Sequence, residues 1–281
     1  MSLFFLQFWH ELVKLFARKR TYIGFGVFLF TEAAVIFGVT RRWPQEQFRK
    51  MIERNGYGFD QYFSGLTLGL QMVMWTVFIL GGLYLSLVAG DVVSKEVEEG
   101  TMRLMLCRPV SRRRIVLQKF LACVVYTFAL TFFIGGTALL AGTLYRGLGS
   151  LFALSPSPRI FALYETAPGL LRYWGAMPLL ALGLMTFASL GFFFSCLNMK
   201  PAAATIMSLS VMFFDFIFRQ IPYFEHYKPY FITEHISAWL QVFLPRIPWR
   251  ELAIDASYLL ALDATFVVLG VVAFRERDFK S

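Results

Sequence analysis

Apolar and polar positions along the chain fall into blocks far longer than one helical turn. Six stretches, at about 21–39, 66–89, 116–143, 174–196, 201–219 and 252–274, are apolar over most of their length. A helix crossing the hydrocarbon core needs about 20 such residues, so each stretch predicts a membrane span. Only residues 197–200 separate the fourth from the fifth, and Pro201 stands where a new helix would open. That spacing predicts a tight helical hairpin. Ahead of the first span, Leu3, Leu6, Trp9, Val13 and Phe16 recur at helical spacing, and Lys14, Arg18, Lys19 and Arg20 crowd the end of the segment. Residues 1–20 therefore read as an amphipathic helix lying along the membrane surface. Their charges follow the apolar residues, the reverse of a cleavable signal.

The remaining segments predict loops at about 40–65, 144–173 and 220–251 on one side of the membrane. Ser-Pro-Ser-Pro at 155–158 marks an irregular turn in the second. In the third, Ile236, Trp239, Leu240, Phe243 and Leu244 form an apolar helical stripe ended by Pro245. It predicts a short outer helix, interfacial or re-entrant, before span six. The expected fold class is an all-α polytopic membrane protein, with a single transmembrane domain over 1–281.

Composition removes the other classes. Hydrophobic residues make up 57% of the chain and charged residues 16%, with 32 Phe; ordinary soluble domains hold roughly 45–50% and 25%. Disordered chains are poor in aromatics and rich in charge, so disorder is excluded too. The net charge of +9 does not point to nucleic acid, because the basic residues flank apolar stretches, as membrane orientation requires. Fifteen of the 27 Lys and Arg fall on about 60 residues of one side and twelve on almost 90 of the other, which favours both termini in the cytoplasm. Cys107, Cys123 and Cys196 form no C-x-x-C pair, so neither a disulfide framework nor a zinc site is implied.

The most informative stretch is 90–122, GDVVSKEVEEGTMRLMLCRPVSRRRIVLQKFLA. It leaves the apolar zone at Gly90 and Asp91, runs through Glu96, Glu98 and Glu99, and crosses Gly100 and Thr101. An amphipathic turn (Met102, Leu104, Met105, Leu106) follows, and then a basic run. Acids near the start and Arg near the end suit a helix dipole. A short helix on the cytoplasmic surface could seat its apolar side in a partner's groove. The same charges would also suit a solvated loop gripping anionic lipid.

This stretch resembles the signature of type-2 ATP-binding-cassette (ABC) permeases: an acid after span two, Glu-x-x-x-Gly-Thr, a run of Leu, Pro-(Val/Ile)-Ser-Arg and a Lys in the next helix. Asp91, Glu96, Gly100, Thr101, Leu104, Leu106, Pro109, Val110, Ser111, Arg112 and Lys119 occupy those positions. The resemblance implies that 91–114 is a coupling helix docking on a separate ABC ATPase subunit. Glu96, Glu98, Glu99, Thr101, Met102 and Arg103 would then touch the ATPase, and Arg108, Arg112 and Lys119 would anchor the segment at lipid headgroups. It further implies two permeases per assembly, a homodimer or heterodimer, in a bacterial or archaeal inner membrane, exporting substrate. ATP and Mg would be bound by the partner: a phosphate-binding loop requires a Gly-Lys pair, and the sequence has none.

Glu32 and Asp263 lie inside predicted spans one and six. An ionisable residue there is a functional candidate, and the substrate path is the candidate role beside a structural one. Asp215 and Arg219, four apart near the end of span five, predict a structural ion pair on one helix face. Enzyme motifs are lacking: His10 and Glu11 open a zincin-like pattern, but Lys14 stands where the second His belongs. Two rival readings remain. One is an ATPase-coupled anchor for a periplasmic machine without transport of its own. The other is an ion-coupled carrier, which would need paired midplane charges in repeated halves.

Overall fold

The computed structural model describes residues 3–107, 111–155 and 160–277. Helix α1 (Leu3–Ala17) leads into α2 (Lys19–Val39), and the extended residue Arg18 makes the corner. Two shorter helices follow, α3 (Arg42–Arg54) and α4 (Phe59–Tyr62). Then α5 (Gly65–Thr76) runs through a π turn at Val77–Gly81 into α6 (Gly82–Glu98). The six-residue α7 (Thr101–Leu106) precedes α8 (Arg112–Arg146). A hairpin of β1 (Leu151–Ser155) and β2 (Ile160–Tyr164) leads to α9 (Thr166–Cys196) and α10 (Pro201–Gln220). The chain closes with a 3-10 turn (Pro222–Tyr230), α11 (Ile232–Ile236), a second 3-10 turn (Ser237–Phe243) and α12 (Trp249–Glu276).

Among the described residues, six helical runs are long and apolar enough to cross a membrane: α2, α5 to α6, α8, α9, α10 and α12. The all-α polytopic class expected of the sequence holds. Helix α9 is the axis of the bundle, packing on α6, α8, α10 and α12. Of its most apolar window, 72% is buried inside the protein, against 17% for α2 and for α10. At 1.5 Å per residue the 35-residue α8 is roughly 52 Å long, so it projects well past a hydrocarbon core of about 30 Å.

The close approach of α5 and α8 depends on two glycines. A Cβ on Gly65 would lie 2.6 Å from the Gly142 carbonyl oxygen, and one on Gly142 would lie 2.3 Å from that of Gly65. Backbone meets backbone there, and no side chain can yield.

Three features go beyond the sequence reading. The second long helix runs on past the apolar zone, through Gly90 and Asp91, to Glu98. Its Gly90 lies against Thr205 of α10, and Asp91 is paired with Arg20, so neither the packing nor the charge forces an end. Second, the loop around Ser-Pro-Ser-Pro carries the β hairpin, in antiparallel register from Leu151 opposite Tyr164 to Ser155 opposite Ile160; residues 156–159 of its turn lie outside the described residues. The Phe152 amide donates to Thr67 Oγ1 (2.8 Å) and Ser64 Oγ to the Ser150 carbonyl (2.6 Å), stitching the hairpin to the start of α5. Third, the stripe before span six is mostly turned into the protein: Trp239, Leu240 and Phe243 are buried against neighbours that include α9 and α12.

Candidate functional site

The signature segment sits where α6 ends and α8 begins, with α1 lying against α8. Gly100 ends α6 because it alone can take the left-handed conformation (φ +74°) there without strain. Its amide donates to the Val97 carbonyl, as that of Glu99 does to Lys95, and Thr101 Oγ1 donates to the Glu96 carbonyl at 3.2 Å. The chain therefore turns sharply into α7.

Behind this turn lies a buried ion cluster. Lys119 Nζ, on α8 and 1% exposed, lies 2.7 Å from Glu11 Oε2 of α1 and 2.8 Å from Glu96 Oε2 of α6. Glu96 Oε1 lies 2.7 Å from Lys14 Nζ and 4.0 Å from Arg18 Nη2. Lys14 Nζ is also 3.2 Å from Glu11 Oε1. Burial works against the Lys14 ammonium, but Glu11 and Glu96 outweigh it and hold its pKa above the ordinary lysine value. Arg20 pairs with Asp91, five residues before Glu96 on α6. Desolvation cancels much of what buried pairs gain, so such a cluster adds little net stability; removing one partner, however, costs about 3–5 kcal/mol. Its effect is on geometry: three elements far apart in sequence satisfy their charges in one arrangement.

The expected contact residues thus divide. Glu98, Glu99 and Thr101 are exposed at the turn. Asp91, Glu96 and Met102 are buried, so the expected ATPase contacts through Glu96 and Met102 are corrected: one is consumed by the ion cluster, the other by the core. Lys119 is likewise no headgroup anchor, since α1 covers it. Arg112 Nη1 donates to the carbonyls of Arg275 (3.0 Å) and Arg277 (3.1 Å), fastening α8 to the end of α12. Arg103 lies on α7 with its side chain outside the described set, and Arg108 and Pro109 lie outside the described residues.

The intramembrane acids are not brought together. Glu32 accepts from Thr137 Oγ1 (2.9 Å) between α2 and α8, and Asp263 from Ser189 Oγ (2.6 Å) between α12 and α9. Neither lines either of two surface cavities, of about 330 and 260 Å³, whose walls include Tyr57 with Tyr164 and Arg219 with Glu234. The predicted pairing of Asp215 with Arg219 is also replaced. Asp215 accepts from the amides of Ile232 (3.0 Å) and Thr233 (2.8 Å), the open N-terminus of α11, and Arg219 Nε lies 2.7 Å from Glu234. Orphan amides and a third charge attract these groups more strongly than each other across a helix turn.

Sequence reasoning missed Glu11 and Lys14 as partners of the segment; their spacing on the polar side of an amphipathic helix was the available signal. It also missed Arg172, which donates to the carbonyls of Leu244 (2.7 Å) and Pro245 (3.3 Å) and covers the Tyr164 ring. Among the described residues no group of three or more His, Cys, Asp or Glu is placed to hold a metal ion.

Comparison with known proteins agrees with this architecture. A protein of Bacillus subtilis (strain 168), YhcI, described as uncharacterized, is 25% identical over 175 residues, which cover 50% of this chain and 55% of that protein. The chain thus matches about half the length of that relative. The pattern of the ABC-2 family transporter proteins matches residues 8–279, nearly the whole sequence. With α9 at the centre of the six membrane-length helices among the described residues and the signature turn at the root of α6 and α8, the chain is a multi-pass membrane protein that belongs to the ABC-2 transporter family.

Proposed function

We propose that this chain is the membrane-spanning permease subunit of an ATP-driven transporter, energised by a separate ABC ATPase that docks on the turn at 98–101. The observation that carries this reading is the division at the segment: Glu98, Glu99 and Thr101 stand exposed on a short turn whose root is clamped by buried charge. A flexible lipid-binding loop has no use for a clamped root, whereas a docking face must hold its shape to transmit force. Closure of the ATPase pair would press on this face, and α6 and the long helix α8 would carry the displacement into the bundle.

On this reading the α1 side faces the cytoplasm of a bacterium or archaeon and the β-hairpin side faces outward, with ATP and Mg held by the partner. The sparsely covered faces of α2 and α10 leave room for a second permease, most simply another copy. Export is the direction that the resemblance implies.

The test is co-expression with each candidate ABC ATPase subunit from the same genome. The wild-type chain should retain the ATPase through detergent purification, and Glu98→Lys combined with Glu99→Lys should release it, both chains remaining monodisperse. Undiminished retention by the double variant would sink the docking assignment.

A further inference from the structure

We propose that Glu11 and Lys119 are positioning residues that make α1 the third leg of the docking platform. Through Glu96 they oblige α1 to move with the roots of α6 and α8 whenever the motor pulls. This inference rests on the docking reading above and extends it to a helix that the signature does not include.

The geometry is specific. Lys119 has no access to water, and two of its three donors face carboxylates from different elements, Glu11 on α1 and Glu96 on α6. Glu96 in turn meets Lys14 from α1. Lifting α1 away would strand buried charge, the costliest way to break such a cluster. Gln118 adds a neutral tie, its Nε2 donating to the Phe4 carbonyl (3.3 Å) and Gln7 Oε1 (3.2 Å). The opposite side of α1 is apolar and uncovered by protein: Phe5 and Trp9 are each 60% exposed, and Leu6 and Val13 are exposed beside them. One helix therefore has its charged side locked to the platform and its apolar side free for the bilayer surface. Force applied at Glu98 to Thr101 reaches the lipid surface through α1 as well as the bundle through α6 and α8.

The experiment uses the full chain in nanodiscs. Cys107 is exposed while Cys123 and Cys196 are buried, so a spin label on native Cys107 and a second on His10→Cys report the distance between the platform and α1. Glu11→Gln is the main variant, because it keeps the shape of the side chain and one acceptor oxygen while removing the charge that ties α1 to Lys119, and Glu96 still pairs with Lys119. We expect a single narrow distance distribution in the doubly labelled parent, a broad one in Glu11→Gln, and a narrow one in Lys119→Arg, which keeps the charge. In the co-purified complex, permease-stimulated ATP hydrolysis should fall about tenfold in Glu11→Gln with ATPase retention unchanged. A narrow distribution or full stimulation in Glu11→Gln overturns the inference. Failure of the wild-type chain to retain any ATPase overturns the docking reading instead, which the distance measurement in the isolated chain registers separately.

Discussion

Asp215 and Glu96 are both acids beside apolar helices, and each is neutralised by a different device. Glu96 sits among cations from α1 and α8. Asp215 caps the amides of Ile232 and Thr233, so a carboxylate on one helix satisfies the open end of another. That assignment predicts a graded series. Asp215→Asn keeps one acceptor oxygen and should cost about 1 kcal/mol, whereas Asp215→Leu leaves both amides without an acceptor and should cost about 2–3 kcal/mol. Thermal unfolding in detergent ranks the two; equal melting temperatures would mean that the cap is incidental. None of these partnerships was legible in the sequence beyond the presence of the charges. Lys119 and Glu11 are 108 positions apart, and local spacing describes only neighbours along one helix. The error over Asp215 and Arg219 has the same origin: an i,i+4 pair is worth a few tenths of a kcal/mol, less than a cap or a pairing with Glu234.

At the scale of elements, small residues set which helices can touch. Gly65 and Gly142 let α5 and α8 meet backbone to backbone. Gly65→Ala should therefore force the two helices apart and sharply lower the yield of folded protein, by the strain of overpacking at about 1–3 kcal/mol or more. Gly136→Ala on the same α8, whose nearest neighbour to a new Cβ is 4.0 Å away, should behave as wild type in size-exclusion and thermal assays. Equal behaviour of the two variants would contradict the packing. The role of Gly142 was not legible in the sequence, because a glycine alone does not show which helix lies opposite. The hairpin was partly legible: 151–154 and 160–164 are short apolar runs on either side of Ser-Pro-Ser-Pro. The turn was read and the strands were not, since so short a run in a membrane chain reads equally as a helix end.

For the whole molecule, the division between α9, largely buried, and α2 and α10, largely bare, describes a bundle with one covered axis and open flanks. Sidedness is open to a direct check. On the proposed orientation, a membrane-impermeant maleimide should react with one thiol, Cys107, and only from the cytoplasmic face, because Cys123 and Cys196 are buried. In sealed right-side-out vesicles labelling should appear only after permeabilisation; reaction before it would invert the topology and with it the docking face. The sequence alone determined that this chain lives in lipid as six helices and that its distinctive chemistry lies between the second and third, because hydrophobic run length and a dense local motif are properties of the chain itself. Only the tertiary structure decided which members of that motif face outward and which are locked inside, because burial and charge pairing depend on what the other helices bring to the same place.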